Sequence, residues 1–173
     1  MDTMNIQEKV GFGGVFNLKV YANQLAQIRG DVPLHEITVH NKMTNKSLAA
    51  ITGLVGNTGS IVAFTYLAVG TSSTAVSASH TALQAELSTL GLSRSIATVA
   101  RTTTTQTNDT LSLTFTWSVT GTTTVEEIGI FNASGGGDGI TTNIMLARAL
   151  TGSIAVVNTN QLVATYTWQA IGN

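Results

Sequence analysis

Few residues in this chain have the types and spacing that chemistry requires. Its histidines are His35, His40 and His80. The step from His35 to His40 is not the spacing that turns two imidazoles onto one metal ion. The acidic residues never form the alternating run that wraps calcium. Their nearest approach, Gly135-Gly136-Gly137-Asp138-Gly139, reads as a hairpin tip. Gly11-Phe12-Gly13-Gly14 resembles a phosphate loop only in its glycines, because such a loop needs a helix after it and Val15 to Tyr21 reads as a strand. No nucleophile elbow of the form G-x-S-x-G occurs, and with no cysteine there is no thiolate chemistry.

The remaining candidates are carboxylates and aromatic rings. Glu126 and Glu127 are neighbours on an expected strand, so they point to opposite faces and cannot act as a catalytic pair. One of them is expected to turn inward as a structural carboxylate, bonded to backbone N–H groups or to Arg148 or Arg101. Trp117, Tyr166 and Trp168 could stack on a sugar ring, but their period-two placement among apolar residues makes them core residues first. The expectation is therefore no catalytic residue, no bound metal and no cofactor. The sequons at Asn45, Asn108 and Asn132 are read as chance matches in a Thr- and Ser-rich chain.

Composition bounds the classes that remain. The chain has 173 residues and a formal net charge of -1, which leaves no basic excess for nucleic acid. Charged residues make up 10% of the sequence, against roughly 25% in ordinary soluble domains. Mean hydropathy is +0.24, yet no run approaches the ~18 apolar residues of a membrane span. The opening segment lacks the basic and apolar regions of a secretory signal, so none is expected. A surface this poor in charge must be covered by Thr, Ser, Asn and Gln, or be buried against other chains.

The elements that position these residues read mostly as strands. Leu111, Leu113, Phe115, Trp117 and Val119 alternate with Ser112, Thr114, Thr116 and Ser118, giving one apolar face and one hydroxyl face. Val62 to Val69 reads as a strand buried on both faces. Residues 125–131, 144–150 and 162–168 are further strands, and 34–39 reads as an edge strand after the only proline, Pro33. About one residue in six is Thr, whose β-branch fits a pleated surface. Helices are expected at Asn45 to Val55, capped by Thr44 or Asn45 and stopped by Gly56, and at Thr81 to Leu90. The fold class is all-β: an antiparallel β-sandwich, jelly-roll-like, with one or two short helices. Residues 1–40 are expected as an N-terminal arm with peripheral strands, and 41–173 as the sandwich domain. The arm's Ile6, Val10, Phe12, Val15, Phe16 and Leu18 are candidate interface anchors, too apolar for a permanently disordered tail.

Several stretches resemble segments of small structural proteins of tailed bacteriophages. Residues 65–87 (TYLAVGTSSTAVSASHTALQAEL) are similar to a strand that ends in a Gly-Thr turn and leads into a T-A-L-x-x-E-L motif. Val125-Glu126-Glu127-Ile128-Gly129-Ile130-Phe131-Asn132 resembles a T-E-x-G-L-F-N strand, and Met145-Leu146-Ala147-Arg148 an M-L-A-R strand. Residues 161–168 resemble a closing strand, and Asn41 to Asn45 a lead-in to a short helix. The pattern departs at Ser72-Ser73, where a glycine is common. The resemblance spans residues 38–170 and carries over no catalytic residue. It implies a virion component: a head decoration, head fibre, collar or tail fibre protein. The expectation drawn from it is a capsid decoration, or cement, protein on the outer surface of the head, made in the host cytoplasm. Its partners would be copies of itself, as a trimer, and the major capsid protein or other virion proteins, with no nucleic acid and no membrane. A tail, collar or fibre component, one that could meet the host surface, is the alternative. A carbohydrate-binding module, which needs aromatics on a polar strand face, is the third.

Overall fold

The structure is a computed structural model that describes residues 13–135 and 143–169. Two antiparallel five-stranded sheets face each other across one apolar core. Sheet A has the order β2 (His35–His40), β1 (Gly14–Tyr21), β10 (Gln161–Gln169), β7 (Thr110–Ser118), β6 (Thr98–Thr102). Sheet B has the order β3 (Lys42–Met43), β9 (Met145–Val156), β8 (Thr123–Phe131), β4 (Tyr66–Gly70), β5 (Ser95–Ile96). The fold is the expected β-sandwich. The clean alternation in β7 sends Leu113 and Trp117 into the core, and the Trp117 indole N–H donates to the carbonyl of Ser93 at 2.8 Å.

The strand pairing is nested. β6 pairs with β7, β4 with β8, β3 with β9 and β1 with β10. Each later strand thus returns beside an earlier one, like a long ribbon wrapped on itself, which is the jelly-roll logic. The two pairs in the middle of the nest both lie in sheet B. Pairing of β10 with β7 and of β9 with β8 then zips each sheet together.

Residues 14–40 are not an arm. β1 is an inner strand, bonded to β2 on one side and along its full length to β10 on the other. Phe16, Leu18 and Val20 are buried between the sheets, and the Phe16 ring stands 4.9 Å from that of Tyr166. The physical reason is the period-two alternation of β1, which supplies one fully apolar face that nothing but the opposite sheet can cover. Only β2 is peripheral, as an edge. Gly14, expected as part of a flexible patch, is a packing residue instead: a Cβ there would run into the Tyr166 side chain. Burial pushes the phenol of Tyr166 well above its usual range, against the smaller opposing effect of Asn41.

The helices depart from the expected pair. α2 (Asn45–Val55) begins where expected, with Thr44 Oγ1 accepting from the N–H of Ser47 at 3.1 Å. Its buried residues are Ser47 and Ala50, while Leu48, Leu54 and Val55 remain exposed. Gly56 ends it in right-handed geometry, and Asn57 takes the positive φ. No helix forms at 81–90, where the backbone instead bonds to β4 and to a side chain of β8. An unanticipated helix, α1 (Gln24–Arg29), is capped by Asn23 and stopped by Gly30 at φ 71. Residues 62–65, read as the first half of a strand, are irregular, and β4 starts only at Tyr66.

The loop joining β6 to β7 is organised by one carboxylate. Asp109 accepts from the backbone N–H groups of Thr104, Thr105 and Gln106 and from the Gln169 amide. Bonds from Gln106 and Thr104, above the others, hold its pKa far below the usual carboxylate range. Asp109 therefore adds stability at pH values above the ordinary carboxylate range and loses it as the pH falls toward its depressed folded value.

Two outcomes follow from this architecture. Phe16→Ala should destabilise the whole sandwich by about 3–5 kcal/mol in urea unfolding, as core truncation does, where an arm residue would cost almost nothing. Asp109→Asn should lower the thermal midpoint at neutral pH, and the difference from the parent chain should shrink as the pH drops below the ordinary carboxylate range.

Candidate functional site

The charged groups of the interior gather on the outer face of sheet B, beneath a strap formed by residues 71–94. A bulge between Val125 and Glu127 in β8 reverses the alternation. Val125 and Ile128 consequently face the core, and Glu127 faces the strap. Glu127 and Arg148 are both fully buried, with Arg148 Nε donating to Glu127 Oε2 at 2.6 Å. The carboxylate also accepts from the N–H of Ala85 at 2.7 Å and of Gln84 at 3.1 Å. Arg148 Nη1 reaches the carbonyl of Thr74 at 2.9 Å. His80 Nδ1 lies 3.3 Å from the same nitrogen and accepts from the N–H of Ser77, which makes that ring nitrogen the unprotonated one.

Close packing completes the clamp. Leu83 sits on Ala68, Phe131 and Met145 in a second small apolar cluster. Gly70 and Gly129 leave the room: a Cβ at Gly70 would meet Glu127 Oε1 and the Ala85 carbonyl, and one at Gly129 would press on Leu83. At its far end the strap is pinned by Arg94, which grips Glu86 through two bonds of 2.9 and 2.6 Å. The Arg94 guanidinium also lies 3.5 Å above the Phe131 ring and donates to the Ala133 carbonyl. Arg94 Nη1 also donates to Asn143 Oδ1, and the remaining strong polar contacts of the strap end on backbone or on a partner of opposite charge. The arrangement does the work of a fastener. Glu126 accepts from Ser153 and lines a small surface pocket with Ser73 and Leu150, so the bulge leaves both glutamates outside the core rather than on opposite faces as strict alternation predicts.

A cavity of about 310 Å³ lies elsewhere, between α2 and the sheets, walled by Phe64, Leu111, Leu146, Tyr166 and Trp168 among others. Tyr166 is the one ionisable group of its wall, so it offers apolar volume without reactive groups. Among the described residues no three His, Asp or Glu side chains gather as a metal site. Of the glycine run, residues 136–139 lie outside the described residues.

The candidate interface residues separate into three groups. Ile6, Val10 and Phe12 lie outside the described residues. Phe16 and Leu18 are core residues, unavailable to a partner while the sandwich is folded. Val15 is half-buried on the outer phase of sheet A. Exposed apolar surface is found instead where the sequence had not located it. Leu25 and Ile28 lie one turn apart on α1 at 53% and 69% exposure, and Val32 and Leu34 follow at 90% and 65%. α1 has no buried residue at all. The legible signal was Asn23 as a cap and Gly30 as a stop around a short apolar pair.

Sheet A's outer face is polar and open. One cross-strand row runs Thr98, Thr114, Thr165, Asn17, Thr38 through all five strands. Thr114 and Thr165 hydroxyls are 3.2 Å apart, and the Asn17 amide donates to Thr38 at 3.1 Å and to Glu36 at 3.0 Å. Trp117 and Tyr166 point the other way, into the core. The platform that a carbohydrate-binding module would require is not made by these rings. Comparison with known protein families, with curated sequences and with solved structures returned no match to this chain.

Removing one partner of the buried pair leaves the other charge stranded. Arg148→Ala and Glu127→Ala should each cost about 3–5 kcal/mol, and the double variant much less than the sum. Limited proteolysis of the single variants should cut first within residues 71–94, and cleavage elsewhere would detach the clamp from the strap.

Proposed function

We propose that this chain is a non-enzymatic structural subunit of a tailed-bacteriophage particle, and specifically a decoration protein that cements the outer surface of the head. The observation that carries the assembly part of the reading is the cluster Leu25, Ile28, Val32 and Leu34, left in solvent on a chain with only 10% charged residues. The ordered motifs between residues 65 and 168 that resemble phage structural proteins support the virion part.

The mechanism is linkage. A subunit that binds across seams between shell proteins, and not to those proteins when dispersed, shifts the equilibrium toward the assembled shell by mass action. Its own rigidity helps, because a strap fastened over sheet B and a wrapped ribbon order little on docking. Residues 25–34 serve as the anchor, and the hydroxyl face of sheet A remains as a solvated exterior.

The test is binding of the purified chain to particles of the phage that encodes it. Gold-labelled protein should mark the head surface in electron micrographs. Labelling of the tail or collar would transfer the reading to the tail-component alternative, and no labelling would end it. Leu25→Ser with Ile28→Ser should leave the fold intact and weaken particle binding by more than about tenfold.

A further inference from the structure

Sheet A has two edges, and they differ in how they are guarded. On β6, Val99 and Arg101 stand opposite Leu113 and Leu111, on the inner phase of the sheet. A charge on that phase is a known obstacle to pairing with another strand. β2 has no such guard. Its inner phase is Ile37 and Val39, both packed against the core, and its outer phase is Glu36, Thr38 and His40, all exposed. No Lys or Pro interrupts the strand.

The hydrogen-bond phase of β2 is set at its end. Asn41 N–H donates to the carbonyl of Gly14 at 3.1 Å. In an antiparallel ladder the bonding residues alternate, so Val39 and Ile37 also turn their main-chain groups toward β1. Glu36, Thr38 and His40 turn theirs outward, to the open edge. Among the described residues no strand pairs with these groups, so they form an open ladder on an exposed strand.

We infer that β2 pairs with β2 of a second copy of this chain, antiparallel about a twofold axis through Thr38, joining the two A sheets into one. In that register opposed residue numbers sum to 76. Thr38 meets Thr38, Glu36 meets His40, and all three outward-facing residues find main-chain partners. Ile37 meets Val39 on the apolar phase. The polar groups also fit, since each Glu36 carboxylate, already held by Asn17 and by Lys19 at 3.1 Å, lies opposite an imidazole whose ring N–H can donate to it. Centring the axis on Glu36 would oppose two carboxylates, and centring it on His40 would take Glu36 away from the imidazole. The product is a dimer, where the resemblance implied a trimer. It carries two copies of the 25–34 apolar cluster at opposite ends of the paired strands. The pairing stands independently of whether a phage shell is the final partner.

Sedimentation equilibrium of the full chain at micromolar concentration tests it, with expected dimers. Thr38→Pro deletes two bonds at the axis while sparing the β1 ladder, since the lost N–H faces the open edge. Dimer dissociation should strengthen by at least about tenfold with an unchanged circular dichroism spectrum. His40→Glu, at an exposed position, should weaken the dimer in the same sense by opposing two carboxylates, and added salt should restore it. Thr38→Cys supplies the sole thiol. Paired Cα atoms about 5.5 Å apart permit a disulfide, so mild oxidation should give a covalent dimer, while Thr98→Cys on β6 should not. A monomer, a trimer, or a dimer indifferent to both Thr38→Pro and His40→Glu would overturn the inference. Loss of particle binding with the dimer intact would count against the shell reading alone.

Discussion

A carboxylate buried without solvent must be paired, and most of the outer half of this molecule is arranged around that requirement at Glu127. Its two oxygens are filled by Arg148 and by the backbone of Gln84 and Ala85. The arginine in turn reaches Thr74 and His80. One ion pair therefore joins two neighbouring strands to a covering segment that has almost no regular structure of its own. The same constraint explains Gly70, whose missing side chain admits both the carboxylate and the Ala85 carbonyl. A buried pair of this kind adds little net stability over apolar residues, but it penalises every arrangement in which only one partner is buried. That property suits a fastener.

Because the strap covers sheet B, the two sheets present different exteriors. Sheet B is sealed by side chains that touch it, whereas sheet A shows rows of hydroxyl and amide groups in register across five strands. Such a face is well solvated without charge, which is how a chain with so few Asp, Glu, Lys and Arg residues can carry a polar surface. Apolar exposure is consequently displaced to the ends of the sandwich, to α1 and the turn after it and to the outer side of α2. Association through ends and edges follows from this distribution, since the broad faces are already committed to the strap or to water.

The wrapped order of the strands places the first described strand beside the last. β1 and β10 pair over eight positions in the middle of sheet A, so both terminal strands are structural. Reading residues 14–40 as part of a separable arm was reasonable from their glycines and mixed polarity. It failed because Gly14, Phe16, Leu18 and Val20 share one side of a strand, and that side is filled by Tyr166 and its neighbours from residues far along the chain. No local signal distinguishes an arm strand from an inner one.

By itself, the sequence determined what depends on neighbours in the chain. Period-two alternation in residues 111–119 established a half-buried strand, and Thr44 established the start of α2. The expectation of a structural carboxylate bonded to backbone N–H groups or to an arginine was legible too, but the opposite facing of Glu126 and Glu127 was not, since the bulge leaves both outside the core between Val125 and Ile128. Tertiary structure alone decided which glutamate turned inward, because a bulge in β8 reset the alternation. It also decided that residues 81–90 would be a strap. Their capping pattern favours a helix by a small local margin, while Glu127, Arg148 and the edge of β4 offer bonds that exist only after the sheets have closed. Local propensity is worth tenths of a kcal/mol per residue, and a buried charge left unpaired costs several. Where the two conflict, the long-range partner wins.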